Sequence, residues 1–149
     1  MRNQQGELDH FTSLTHAVSD PNRVRLLAAC LDTERCVCQL VELIDLSNPS
    51  ISKHLSVLRA AGLLESRREG RWVHYRTPES SDQMIHDVIR MIRSHVLGDP
   101  VLMDDRVKLL QIDSIDPCDL ARMQREGCCP ATTEPNTQSE TKITAKTHN

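Results

Sequence analysis

At 149 residues with a net charge of −3, the chain has the length of one domain plus a modest appendage, and its acidity argues against indiscriminate nucleic-acid binding. Phe11, Trp72 and Tyr75 are the only aromatics, so the core must be built from Leu, Val, Ile, Met and Ala, which favours a small, mainly helical fold. No apolar run approaches the roughly 20 residues of a membrane span, and the start Met1-Arg2-Asn3-Gln4-Gln5 lacks the apolar stretch of a secretory signal. The expected location is the cytoplasm, without membrane partners. In that reducing compartment Cys30, Cys36, Cys38, Cys118, Cys128 and Cys129 are expected as thiols, so close spacings point to soft-ion capture before disulfides.

Leu8, Phe11, Leu14 and Val18 predict a first helix with one apolar face. Asp20-Pro21 then starts a second, because Asp caps well and Pro is tolerated at the first helical position. Val24, Leu27, Ala28 and Leu31 supply its buried stripe, and Val37, Leu40, Val41 and Ile44 predict a short third helix. Ser47 or Asn48 can cap a fourth, with Pro49 in its first turn, Ile51, Leu55 and Leu58 facing inward, and Gly62 as a left-handed stop. Leu63 to Arg67 and Arg71 to Thr77 read as two strands around Arg68-Glu69-Gly70, a hairpin.

Ile85, Val88, Ile89, Ile92 and Val96 predict a long helix opened by Ser80, Ser81 or Asp82 and closed by Gly98-Asp99-Pro100. Val101, Leu102, Val107, Leu109 and Leu110 predict a further helical segment, and Leu120 with Met123 a short turn. Residues 132–149 are polar and expected to be disordered, with Ile143 their only bulky apolar side chain. The expected organisation is a main folded unit over 7–97, a partly helical cysteine-containing extension over 98–130, and a disordered tail over 131–149.

Charge is distributed unevenly. Ser47 to Arg76 holds six basic residues against two acidic ones, while the rest of the chain is acidic. A local basic footprint on an acidic body suits a protein that must release a polyanion as well as bind it. The third and fourth helices read as a helix-turn-helix. On the fourth, Ser50, Ser52, Lys53 and His54 lie on or beside the face opposite Ile51, Leu55 and Leu58, where short hydroxyls allow close approach to a major groove and Lys53 neutralises phosphate. Arg67, Arg68 and Arg71, placed at the hairpin tip, would hold phosphates or enter a minor groove. A second reading of His54 has it packing against the turn.

The run Leu46-Ser47-Asn48-Pro49-Ser50-Ile51-Ser52-Lys53-His54-Leu55 through Gly62-Leu63-Leu64 resembles the recognition helix of the ArsR/SmtB family of winged helix-turn-helix repressors, and Glu65 to Arg76 resembles its wing. The resemblance covers roughly Leu8 to Val96. It implies a mainly helical fold with a small β-hairpin wing, α1-α2-α3-α4-β-β-α5, followed by a C-terminal extension. It also implies DNA contacts at Asn48, Ser50, Ser52, Lys53, His54, Arg67, Arg68 and Arg71, an inverted-repeat operator in double-stranded DNA, and a homodimer. The apolar stripes of the first helix and of Ile85 to Val96, too large for one small domain to bury, point to the same dimer.

Arg35-Cys36-Val37-Cys38-Gln39-Leu40 resembles the Leu-Cys-Val-Cys-Asp-Leu box through which arsenic-responsive members bind arsenite, with Arg35 and Gln39 departing from it. No cofactor is needed for DNA binding; the implied inducer is As(III) or Sb(III). In regular helix geometry residues two apart point ~200° from each other, so a shared ion is expected to unwind the first turn of the third helix and loosen the DNA-reading helix. Arsenite prefers three thiolates in a pyramid. The position that supplies the third in some relatives is Val41 here, which leaves Cys118, Cys128 and Cys129 as candidates, or as a separate site of their own.

Cys30, beside Leu27 and Leu31, reads as a small buried hydrophobe. The Asp-x-His zinc pattern of other family members is missing around His86, Asp87 and His95. Cadmium, lead and a thiol redox response on the same scaffold stay open as alternatives. No nucleophile–base pair, phosphate-cradling loop or cofactor fingerprint is present in the sequence, so enzymatic activity is not expected.

Overall fold

The computed structural model describes residues 4–124. The Cys128-Cys129 pair and the expected tail therefore lie outside the described residues. Helix α1 (Gln4–Ala17) is followed by α2 (Pro21–Ala29), and the break between them is chemically explicit. Asp20 caps α2 by accepting from the Asn22 and Arg23 amides at 2.8 and 3.1 Å, and Pro21 fills the first position. Arg23, turned back and buried, donates to the carbonyls of Ala17 and His16, both at 2.8 Å, satisfying the end of α1.

Strand β1 (Arg35–Cys36) leads into α3 (Val37–Leu43) and α4 (Asn48–Ala60), then β2 (Glu65–Glu69) and β3 (Trp72–Arg76). The sheet is antiparallel in the order β1-β3-β2. The expected two-stranded hairpin is thus corrected to three strands. Arg35 pairs with Tyr75 and Cys36 with His74. The hairpin turn is also shifted: Glu69 still pairs with Trp72, so the loop is Gly70-Arg71, with Gly70 at φ +60°.

Helix α5 (Gln83–Met91), capped by Asp82, continues through a π-helical turn at Ile92–Val96. Ile85 and Ile92 are buried beneath it. Helices α6 (Pro100–Ile112) and α7 (Pro117–Met123) follow, each opened by the Asp-Pro device that starts α2, with Asp99 and Asp116 as caps. The chain folds back here: α6 packs on α2 and α3, and α7 on α3. Asp105 of α6 is buried against Arg25 of α2 in a two-pronged ion pair at 2.7 and 2.8 Å. That partner keeps Arg25 firmly charged despite its partial burial.

The core is aliphatic, with Leu14, Leu27, Leu40, Ile51, Leu55 and Leu58 at or below 1% exposure; of the foreseen stripes Val24, Ala28, Val37 and Val41 are only half-buried, and Leu26 and Ala29 complete the inner face of α2 instead. The extension differs from expectation. Leu102, Leu109 and Leu120 are buried, but Val101, Val107, Leu110 and Met123 are exposed, because the face of α6 that meets α2 and α3 is Leu102, Asp105, Leu109 and Ile112. On α1, Leu8 and Phe11 are 63% and 54% exposed, and on α5 Met91 is 51% exposed. No helix among the described residues is long and apolar enough to cross a membrane.

Candidate functional site

Ser47 caps α4; its hydroxyl lies 3.4 Å from the Ser50 amide and 2.9 Å from the Ser50 hydroxyl. At the other end Gly62, at φ +82°, lets the Gly62 and Leu63 amides bond the Arg59 and Leu58 carbonyls, both at 3.0 Å, and Leu63 packs into the core. This is a Schellman stop. With Ile51, Leu55 and Leu58 fully buried, the helix presents Ser52 and Lys53 outward, flanked by half-buried Asn48, Ser50 and His54. His54 is close enough to Asp20 to act on it. Burial of that carboxylate works against its ionisation, yet the Arg23 and Asn22 amides, with the charges of His54 and Arg23, hold its pKa below the ordinary value.

On the wing, Arg68 and Arg71 are exposed, Arg71 in the turn itself. Neither Arg67 nor Arg68 is at the tip, a correction: both stand within β2, opposite His74 and Val73. The Arg67 guanidinium reaches Glu34 at 2.5 Å and Glu69 at 3.1 Å. Glu34 is held below its usual pKa chiefly by that Arg67 hydrogen bond. Arg76 and Glu65, cross-strand partners, are joined at 2.5 Å.

The thiol pair is arranged otherwise than regular helix geometry predicts. Cys36 is not in the first turn of α3; it is the extended residue before it (φ −70°, ψ 148°), so its side chain swings over the turn that carries Cys38. The two Sγ atoms meet at 2.6 Å, and the residues are 3% and 0% exposed. The expected unwinding is therefore not needed to bring the sulfurs together. The Cys36 thiol is lowered to about 7, first by its contact with the Cys38 side chain, with burial opposing and the Cys38 and Gln39 amides assisting. Cys30, in contrast, is pushed up to about 12 by burial, only partly offset by nearby Arg35.

Two amide side chains around this junction, Gln39 and Gln124, have roles that the sequence reading did not assign. Gln39 Oε1 accepts from the Cys36 amide at 2.9 Å, the backward half of a capping box that the three-residue spacing would have disclosed. Gln124, at the end of α7, donates through Nε2 to the Cys38 carbonyl and to Glu42, both at 3.0 Å. Cys118 is half-buried on the first turn of α7. Among the described residues no three His, Cys, Asp or Glu side chains are gathered as a metal site, so a third ligand is not preassembled there.

Residues 20–66 match the family described as "Bacterial regulatory protein, arsR family". The chain is 42% identical over 77 residues to "Arsenic resistance transcriptional regulator ArsR1" of Pseudomonas putida, a match covering 48% of this chain and 60% of that protein. It is 41% identical over 85 residues to ArsR2 of the same organism, covering 56% and 70%. Among solved structures it is similar to the homodimeric winged helix-turn-helix DNA-binding domain of Mb0332 from Mycobacterium bovis, with a TM-score of 0.52, 21% identity, and coverage of 72% of this chain and 94% of that one. That likeness establishes the winged-helix fold. Recognition helix, wing and sequence agree, and the chain belongs to the ArsR family of bacterial transcriptional regulators.

Proposed function

We propose that this regulator is an arsenite-responsive repressor: a homodimer that binds an inverted-repeat operator and leaves it when As(III) or Sb(III) is captured by Cys36 and Cys38. The observation that carries the reading is the contact of the two sulfurs at a junction whose backbone is paired with the wing strand, Cys36 opposite His74, and which runs directly into the helix before α4. Pyramidal coordination asks for a third thiolate, for which Cys118, Cys128 and Cys129 are the candidates. Drawing that sulfur in displaces β1 or the start of α3, so the ion and the operator are bound at each other's expense. DNA contacts are assigned to Asn48, Ser50, Ser52, Lys53, His54, Arg68 and Arg71, with Arg67 contributing less because its charge is already paired.

The test is fluorescence anisotropy of a labelled operator duplex with fully reduced protein, titrated separately with arsenite, antimonite, cadmium and lead. Arsenite is expected to release the duplex, and Cys36→Ser or Cys38→Ser to leave binding intact while abolishing release. Release by cadmium or lead alone would assign the protein to those ions, and release only in a parallel titration with an oxidant, with no response to the four ions, would make it a redox sensor. Loss of DNA binding in the Ser variants would count against the scheme.

A further inference from the structure

Asp113 closes α6, far from the thiols in sequence, yet its carboxylate reaches the two side chains that flank them, Arg35 and Gln39. Its Oδ1 accepts from Arg35 Nη1 in an ion pair in which Arg35 is 9% exposed, and lies 3.4 Å from Gln39 Nε2. Arg35 is further tied to the Ala29 carbonyl at 3.1 Å, and Gln39 holds the Cys36 amide. Both partners suit a carboxylate: Arg35 neutralises its charge and Gln39 offers it an amide donor. A second tie, from Gln124 to the Cys38 carbonyl, comes from α7.

We propose that Asp113 is a positioning residue for the thiol pair: through Arg35 and Gln39 it fastens the α6–α7 extension over the Cys36 junction, and the thiols become reachable only when that extension lifts. This rests on Cys36 and Cys38 being the capture site. It gives the extension a role in setting how readily the inducer enters, since a site only 3% and 0% exposed must open before an ion reaches both sulfurs.

Pulsed labelling of the reduced full-length chain with N-ethylmaleimide at fixed pH, read by mass spectrometry of tryptic peptides, tests this. Cleavage after Arg25, Arg35 and Lys53 places Cys30 in one peptide and Cys36 with Cys38 in the next, so Cys30, 1% exposed in the core, reports global unfolding. Asp113→Ala is expected to raise labelling of the pair about tenfold, the change in opening that loss of one charge-assisted hydrogen bond produces. Gln124→Ala should move it in the same direction, Asp113→Glu should restore protection, and Cys30 should stay protected throughout.

Unchanged labelling of the pair in both Ala variants, or a rise only in step with Cys30, would overturn the proposal. Because no metalloid is present, the labelling judges the extension separately from the function. Arsenite failing to release the operator from wild type would sink the functional reading while leaving this result standing.

Discussion

Single residues here act mainly by completing or ending backbone structure. Asp82 is an example: it accepts from the Met84 and Ile85 amides at 2.9 and 3.4 Å and lies 2.8 Å from His10 Nε2 on α1, so one carboxylate starts α5 and ties it to the first helix. Burial opposes its ionised form, but the Ile85 and Met84 amides and His10 prevail and hold its pKa below the ordinary value. A carboxylate with a depressed folded-state pKa stabilises fully above its unfolded value, near 4, and loses that contribution as the pH falls through the folded value. Asp82→Ala should therefore cost about 1 kcal/mol at neutral pH. In urea unfolding measured from pH 7 to pH 3, the gap between variant and wild type should narrow below about pH 4. Cys36 belongs to the same scale: one extended residue before a helix decides whether two thiols two positions apart diverge or meet.

Among the elements, α4 and the wing are the best specified. The Gly62 stop needs φ +82°, and a Cβ there would stand 3.1 Å from Ile85 Cδ1, so Gly62→Ala is strained both in its backbone and against α5. It should lower the unfolding free energy by about 1–2 kcal/mol, measured by chemical denaturation. Along the wing, Arg68 and Arg71 are exposed whereas Arg67 is paired with Glu34 and Glu69. On the proposed mode of binding, Arg68→Ala and Arg71→Ala should each weaken operator affinity and reduce the slope of log affinity against log salt by about 1. Arg67→Ala should change that slope less, as salt-dependent anisotropy would report.

For the whole molecule, Leu8 and Phe11 on α1 and Met91 on α5 are more than half exposed, and in the proposed homodimer they are the side chains a second copy would cover. Phe11→Asp should yield a monomer in sedimentation velocity, with helical circular dichroism retained and operator affinity lost, because two half-sites need two linked recognition helices. A wild-type monomer at micromolar concentration would refute the dimer.

Much of this fold was legible in the chain itself. The apolar stripes, the Asp20-Pro21 start, the Ser47-to-Gly62 frame of α4 and the Gly70 turn are local devices, each set by residues a few positions apart. The same Asp-Pro signal stood at Asp99-Pro100 and Asp116-Pro117, where it began α6 and α7. What only the tertiary structure decided is long-range. Strand β1 has two residues, too few to show a period, and exists because β3 offers it partners at Tyr75 and His74. The ties of Asp113 and Gln124 to the thiol junction span more than 70 residues and leave no local pattern. The sequence by itself determined which helices form and that two thiols stand beside the DNA-reading unit; the folded chain decided that those sulfurs touch, that they are buried, and that the extension lies against them, because contacts between distant segments are set by packing.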